Sequence, residues 1–179
     1  MHRSGFVNII GNPNVGKSTL MNALVGERIS IITSKSQTTR HRILGIVNGD
    51  DFQIVYSDTP GIIKPNYKLQ EKMMDFVSVS FDDADVFLYV TDVVESAEKN
   101  AEYIERLSKV KIPVLCLINK IDLVSNEEVE NLRLFWENRL PNAKIFEISA
   151  LNGTNLDIVF NEIVSLLPEG PAWFPKDQL

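Results

Sequence analysis

Apolar positions in this chain fall into short dense runs separated by longer stretches of helical period. Six runs rich in β-branched or aromatic residues recur: Phe6 to Ile10, Ile43 to Val47, Phe52 to Tyr56, Val86 to Val90, Val114 to Ile118 and Ile145 to Ile148. Strands with one wet face alternate apolar and polar residues. These runs are near-continuous, so they read as strands buried on both faces. Between most of them lie segments of helical period: Lys17 to Val25, Leu69 to Phe81, Ala97 to Leu107, Glu127 to Asn138 and Leu156 to Leu167. Such alternation predicts a parallel sheet with helices on both faces. One connection differs. Only Asn48-Gly49-Asp50-Asp51 separates the second run from the third, which is a hairpin signal and forces an antiparallel pair. The expected fold is α/β: a six-stranded, mostly parallel sheet with one antiparallel edge strand.

Composition changes this picture little. The 179 residues suffice for one domain with a real core, and 44% hydrophobic with 23% charged residues is ordinary for a globular protein. A net charge of -6 argues against tight nucleic-acid binding by this chain alone; Arg40-His41-Arg42 is the best local exception. The single cysteine, Cys116, excludes an internal disulfide and sits in an apolar run, so it is expected in the core. No apolar stretch approaches ~18 residues and the N-terminus is too short for a signal peptide, so a cytoplasmic location is expected. The last thirteen residues, "LPEGPAWFPKDQL", hold three prolines and one glycine and cannot continue a helix. The expected division is a domain over 1–167 and a linker over 168–179 leading to a missing second domain. The alternative is a tail folded back on the first.

The chemistry concentrates in loops that follow strands. Gly11-Asn12-Pro13-Asn14-Val15-Gly16-Lys17-Ser18 fits the pattern G-x-x-x-x-G-K-[ST] and stands between a strand and a helix. Glycines let backbone N–H groups approach phosphate oxygens, and the positive end of the following helix faces the same anion. Lys17 can reach the outer phosphates and Ser18 can ligate Mg²⁺, with Thr19 completing the loop. The fold class becomes that of a P-loop NTPase.

Three further loops refine the ligand. Asp58-Thr59-Pro60-Gly61 ends the third run. Alone this reads as a plain turn; beside a phosphate loop, Asp58 is placed to hold Mg²⁺ through water and Gly61 to offer an N–H to the terminal phosphate. Asn119-Lys120-Ile121-Asp122 ends the fifth run. One carboxylate, Asp122, can accept both adjacent donors of guanine, whereas adenine would leave it unpaired, and such a site can discriminate by ~10⁴ or more. Lys120 can lay its aliphatic stem over the base, and Asn119 can tie this loop to the phosphate loop. Ser149-Ala150-Leu151 ends the sixth run, with the Ala150 N–H in reach of the guanine carbonyl. All lie where open α/β sheets bind ligands.

In this order and spacing the four motifs resemble those of translation-factor-related GTPases. The segment "KSQTTRHRILGI", residues 35–46, with "LPEGP" and "FPKDQ" near the end, makes the chain similar to the TrmE-Era-type family of bacterial ribosome-assembly GTPases. The resemblance covers essentially the whole chain. It implies a Mg²⁺-dependent GTP/GDP switch. For a full-length protein it implies a KH-type RNA-binding domain, small-subunit ribosomal RNA and the 30S subunit as partners, and peripheral membrane association. This chain alone is expected to be a monomer. Gln37 to His41 would be the first switch segment, where Thr39, favoured over Thr38, would complete the Mg²⁺ shell with Ser18 and Asp58. Asp58 to about Gln70 would be the second. Arg40 and His41 read as solvated loop residues. In several relatives sharing the P-N-x-G-K-S loop, the asparagine matching Asn14 helps bind K⁺; the alternative is that it only braces the loop. The groups that would act on the reaction itself are Lys17, Thr39, Gly61 and Asn14.

One departure bears on rate. Ile62 follows Gly61, where Ras-type GTPases carry a water-orienting glutamine. Isoleucine cannot hydrogen-bond water, so hydrolysis by this chain alone is expected to be slow. A supplied arginine contributes ~10³–10⁵ in rate elsewhere, roughly 4–7 kcal/mol. Two rival readings stand beside a GTP-hydrolysing switch: an ATP-using P-loop kinase, which the Asn119–Asp122 loop argues against, and a binding module that holds GTP only as structural glue.

Overall fold

Parallel strands need crossovers long enough to carry a helix, and this chain spends most of its length on them. The computed structural model describes residues 1–11, 15–25, 29–30, 42–58, 84–94 and 101–174. In chain order the strands are β1 (Arg3–Gly11), β2 (Ile29–Ser30), β3 (Arg42–Asn48), β4 (Phe52–Asp58), β5 (Val86–Asp92), β6 (Val114–Asn119) and β7 (Ala143–Glu147). The described helices are α1 (Lys17–Val25), α2 (Ala101–Leu107), α3 (Asn126–Arg139) and α4 (Leu156–Leu166). The predicted helix over Leu69 to Phe81, and the first residues of the one over Ala97 to Leu107, lie outside the described residues.

The sheet order is β2-β3-β4-β1-β5-β6-β7. β1 pairs in parallel with β4 and β5, and β6 with β5 and β7, while β3 runs antiparallel to both β2 and β4. All six predicted strands form, and the hairpin at Asn48 to Asp51 makes the expected antiparallel pair. A seventh strand is added: Ile29–Ser30 pairs outside β3 and takes the edge position. Two residues carry no readable period, and only the strand beside them makes them a strand.

Alternation within β5 divides the core. Val86, Leu88 and Val90 face α1 and α4, whereas Phe87 and Tyr89 join Cys116, Ile118 and Trp136 on the side of α2 and α3. Every residue of β5 and β6 is buried, as their unbroken apolar runs require. Burial pushes the Cys116 thiol well above its ordinary range. Helix α3 starts one residue before the predicted Glu127, because Ser125 caps it by accepting from the Glu128 N–H at 3.2 Å. Among the described residues no helix is long and apolar enough to cross a membrane.

The proline-rich segment after α4 is docked, not free, as far as Phe174. The Ser4 N–H donates to the Pro168 carbonyl and the Gly170 N–H to the His2 carbonyl, each at 3.0 Å. Arg3 donates to the Leu167 carbonyl at 2.7 Å, closing the end of α4. The fully buried Gln53 makes four hydrogen bonds. Its Oε1 accepts from the Trp173 and Phe174 N–H groups, and its Nε2 donates to the Phe174 carbonyl and Asn48 Oδ1. Phe174 packs with Phe6, Ile46 and Val55, and the Trp173 ring lies 5.3 Å from Phe6. Residues 168–174 thus pack against the domain. Proline removes N–H donors, but the carbonyls and the other amides still find partners. Residues 175–179 lie outside the described residues.

Replacing Gln53 with Ala strands the Trp173 and Phe174 amides in a partly buried place. The expected loss is about 1–3 kcal/mol of stability. Hydrogen exchange should accelerate at Trp173 and Phe174 and stay slow in β6, which amide exchange by NMR would show.

Candidate functional site

Parallel pairing sets the site's position before any side chain does. Gly11 lies opposite Val90, Asp58 opposite Ile9 and Asp92 opposite Asn119, so the C-terminal ends of β1, β4, β5 and β6 share one edge of the sheet. The loops that leave this edge are those that carry the motifs.

Two glycines shape the phosphate loop. A Cβ on Gly11 would lie 2.7 Å from the Val90 carbonyl oxygen, so only glycine lets β1 approach β5 so closely there. Gly16 has φ +91°, a left-handed conformation that side chains disfavour, and a Cβ there would collide with Asn119 Nδ2. The Leu20 N–H donates to the Gly16 carbonyl at 2.9 Å, which opens α1 at Lys17. The first turn of a helix presents N–H groups that no helical carbonyl takes, the natural seat of an anion. Val15 is buried in the core and anchors the loop from below, Lys17 is half-buried, and Ser18 and Thr19 are exposed. Asn12, Pro13 and Asn14 lie outside the described residues.

Asn119 joins the two sides of the site. Its side chain is only 3% exposed. Nδ2 donates to the Val15 carbonyl at 2.9 Å, and Oδ1 accepts from the Ala150 N–H at 2.9 Å. The expected tie to the phosphate loop is present, and the Ala150 N–H points its hydrogen at Asn119 in this structure. After Asn119 the chain turns sharply: Lys120 is left-handed at φ 66°, and Ile121–Leu123 form one 3₁₀ turn. That turn carries Asp122, whose Oδ1 accepts from Ser149 Oγ at 2.9 Å; the same hydroxyl accepts from the Asn152 N–H at 3.2 Å. Ser149 thus orients Asp122.

A cavity of about 310 Å³ lies between these loops. Gly16 and Thr19 form one wall; Asn119, Lys120, Asp122 and Leu123 form a second; Ser149 and Leu151 form the third. Leu123 and Leu151 are apolar yet largely exposed at its rim. Two residues escaped sequence reasoning. Leu123 belongs to no motif. Asp92, at the end of β5, pairs with Lys120 Nζ at 2.9 Å. Its signal was available, since it ends an apolar run just as Asp58 and Asn119 do. The structure places the Asp58 backbone at the end of β4. The Asp58 carboxylate, Thr38, Thr39, Thr59, Pro60, Gly61 and Ile62 lie outside what is described. Among the described residues no cluster of three or more His, Cys, Asp or Glu side chains could hold a metal.

Asn119→Ala should leave the Val15 carbonyl and the Ala150 N–H buried without partners, at about 1–3 kcal/mol each. Thermal unfolding should shift down, and amide exchange at Ala150 should quicken more than at Ile145 on the same strand-loop unit.

Residues 6–120 match the family described as 50S ribosome-binding GTPase. Over 179 residues the chain is 44% identical to GTPase Era of Alkaliphilus metalliredigens (strain QYMF), covering 99% of this chain and 61% of that relative. It therefore spans about three fifths of the length of such curated relatives. A crystal structure of an Aquifex aeolicus Era variant bound to GDP and AlF4⁻ superposes with a TM-score of 0.79 at 40% identity, covering 98% of this chain and 60% of that one. Era in complex with MgGDPNP and nucleotides 1506–1542 of 16S ribosomal RNA superposes at 0.80 with 39% identity, covering 99% and 61%. With that match spanning more than half of its length, and with the Asn119 bridge and the oriented Asp122 beside it, the chain belongs to the family of 50S ribosome-binding GTPases.

Proposed function

We propose that this chain is the nucleotide-binding switch of a ribosome-assembly GTPase, binding GTP and GDP and hydrolysing GTP slowly. The observation that carries this reading is Asn119, which bridges the phosphate loop and the Ala150 loop beside a carboxylate already oriented by Ser149. Guanine fits this arrangement: Asp122 accepts its N1–H and 2-amino group, and the Lys120 stem covers one face. The first turn of α1 and Lys17 take the β- and γ-phosphates.

The oxygen donors at the phosphate end suit Mg²⁺, a hard cation that keeps few protein ligands. Ser18 presents an exposed hydroxyl at the start of α1, and on this reading Asp58 and Thr39, or Thr38, complete the set. When bound, the ion neutralises charge on the phosphates. Gly61 supplies an N–H to the terminal phosphate. Ile62 cannot hydrogen-bond the attacking water, which supports slow hydrolysis by this chain. Asn14 is the residue that would draw K⁺ to the phosphates, where positive charge stabilises the leaving group.

The relative solved with a 16S ribosomal RNA fragment supports small-subunit RNA and the 30S subunit as partners of a longer protein. At net charge -6 this chain contributes the switch and little of the RNA contact. A KH-type domain after residue 179, peripheral membrane association, a cytoplasmic location and a monomeric state for the switch complete the proposal.

Base selection tests the reading. Asp122→Asn replaces one acceptor with a donor, which suits the xanthine 2-carbonyl. GTP affinity should fall about 10- to 100-fold while XTP gains, from the roughly 1.5–3 kcal/mol of a charged hydrogen bond. Unchanged GTP preference would take Asp122 out of the base site, and a wild-type preference for ATP would favour a kinase. Single-turnover GTP cleavage separates the switch from a module that only holds GTP.

Turnover in K⁺ should exceed turnover in Na⁺ at equal ionic strength, and Asn14→Ala should abolish the difference. Equal rates in both salts would remove the cation, and a K⁺ effect that survives the substitution would place it elsewhere.

A further inference from the structure

We infer that Asp92 is a positioning residue for base recognition: its buried carboxylate anchors the end of Lys120, so that the lysine stem lies fixed across the base cavity. The inference rests on the guanine-nucleotide reading given above. Asp92 belongs to none of the four motifs. It ends β5, opposite Asn119 in register, and is 4% exposed. A carboxylate so buried needs compensation from every side. Oδ1 accepts from the Val94 N–H at 2.9 Å, which fixes the plane of the group. Oδ2 faces Lys120 Nζ at 2.9 Å.

Lys120 is thereby held at both ends. Its Cα is set by the left-handed turn after β6, at φ 66° and ψ 32°. Its ammonium is set from the neighbouring strand. The side chain is 33% exposed, so the pair is only partly open to water, and screening weakens it less than a surface pair. The four-carbon stem must bridge the gap. It passes beside the phosphate loop, since a Cβ built on Gly16 would lie 3.9 Å from Lys120 Cε. Lys120 also lines the cavity. An unanchored lysine in solvent samples many rotamers and would have to give them up when a base arrives. The Asp92 pair orders the stem before the ligand binds. It also engages the ammonium, so that Lys120 serves the base with its stem and leaves phosphate charge to Lys17.

The test is a double-mutant cycle on the whole chain, read as dissociation constant and dissociation rate for fluorescent GDP with Mg²⁺. Asp92→Asn keeps an acceptor for Val94 and removes the charge. It should weaken GDP about tenfold, mostly through faster release. In a Lys120→Ala background the same change should cost nothing further. An equal loss in both backgrounds would show that Asp92 only supports the strand end, and would overturn the inference. No loss from Asp92→Asn alone would overturn it too. Lysine ¹⁵N NMR of the wild-type chain with GDP supplies a reading free of any variant. The Lys120 ammonium should exchange slowly with water, and fast exchange would count against the anchor. Failure of the wild-type chain to bind GDP at all would instead sink the underlying nucleotide reading.

Discussion

A single buried amide holds the candidate site together. Asn119 has a donor and an acceptor on one rigid group, and the structure uses both: the donor on the phosphate loop at Val15, the acceptor on the Ala150 N–H. Neither loop can move far without leaving a buried polar atom unpaired. The spacing between the Val15 side and the Ala150 side of the cavity therefore depends on this one side chain. Gly16 follows from it, because any Cβ at that position would take the space that Asn119 Nδ2 occupies.

The charges around the cavity follow a pattern. On the Asn119–Leu123 side each carboxylate already has a protein partner: Ser149 for Asp122, Lys120 and the Val94 N–H for Asp92. These contacts orient the groups before any ligand arrives, which lowers the entropic cost of binding. On the opposite side the first turn of α1 and Lys17 supply positive potential locally. An overall charge of -6 does not prevent a chain from holding a polyanion in this way, because salt screens distant charges over about 10 Å and the near ones dominate.

At the opposite edge of the sheet the start of β1 meets the segment that follows α4. His2, Arg3 and Ser4 bond to residues 167–170, and Gln53 grips Trp173 and Phe174. Gln53 stands near the start of β4, and Asp58 ends the same strand. One seven-residue strand thus links the docked tail to the edge where the phosphate loop sits. The tail is part of the sheet's covering layer, shielding Phe6, Ile46 and Val55.

Much of this was legible in the residues alone, and the boundary has a physical cause. Apolar runs such as Val86 to Val90 and Val114 to Ile118 are dense because parallel central strands are buried on both faces, so composition and period reveal them locally. The hairpin at Asn48 to Asp51 was legible for the same reason: a tight turn is a property of adjacent residues. The phosphate loop and the Asn119–Asp122 loop are likewise short contiguous strings. What the sequence could not show depends on residues far apart. Ile29–Ser30 is a strand only because β3 lies beside it. The proline-rich tail reads as a linker until Gln53, more than a hundred positions away, meets its amides. The Asp92–Lys120 pair and the Ser149–Asp122 bond join different strands and loops, and neither leaves a periodic trace. Local sequence determined the elements and the chemical groups; tertiary structure decided which groups touch, because a hydrogen bond across a sheet is fixed by register and packing rather than by the neighbours along the chain.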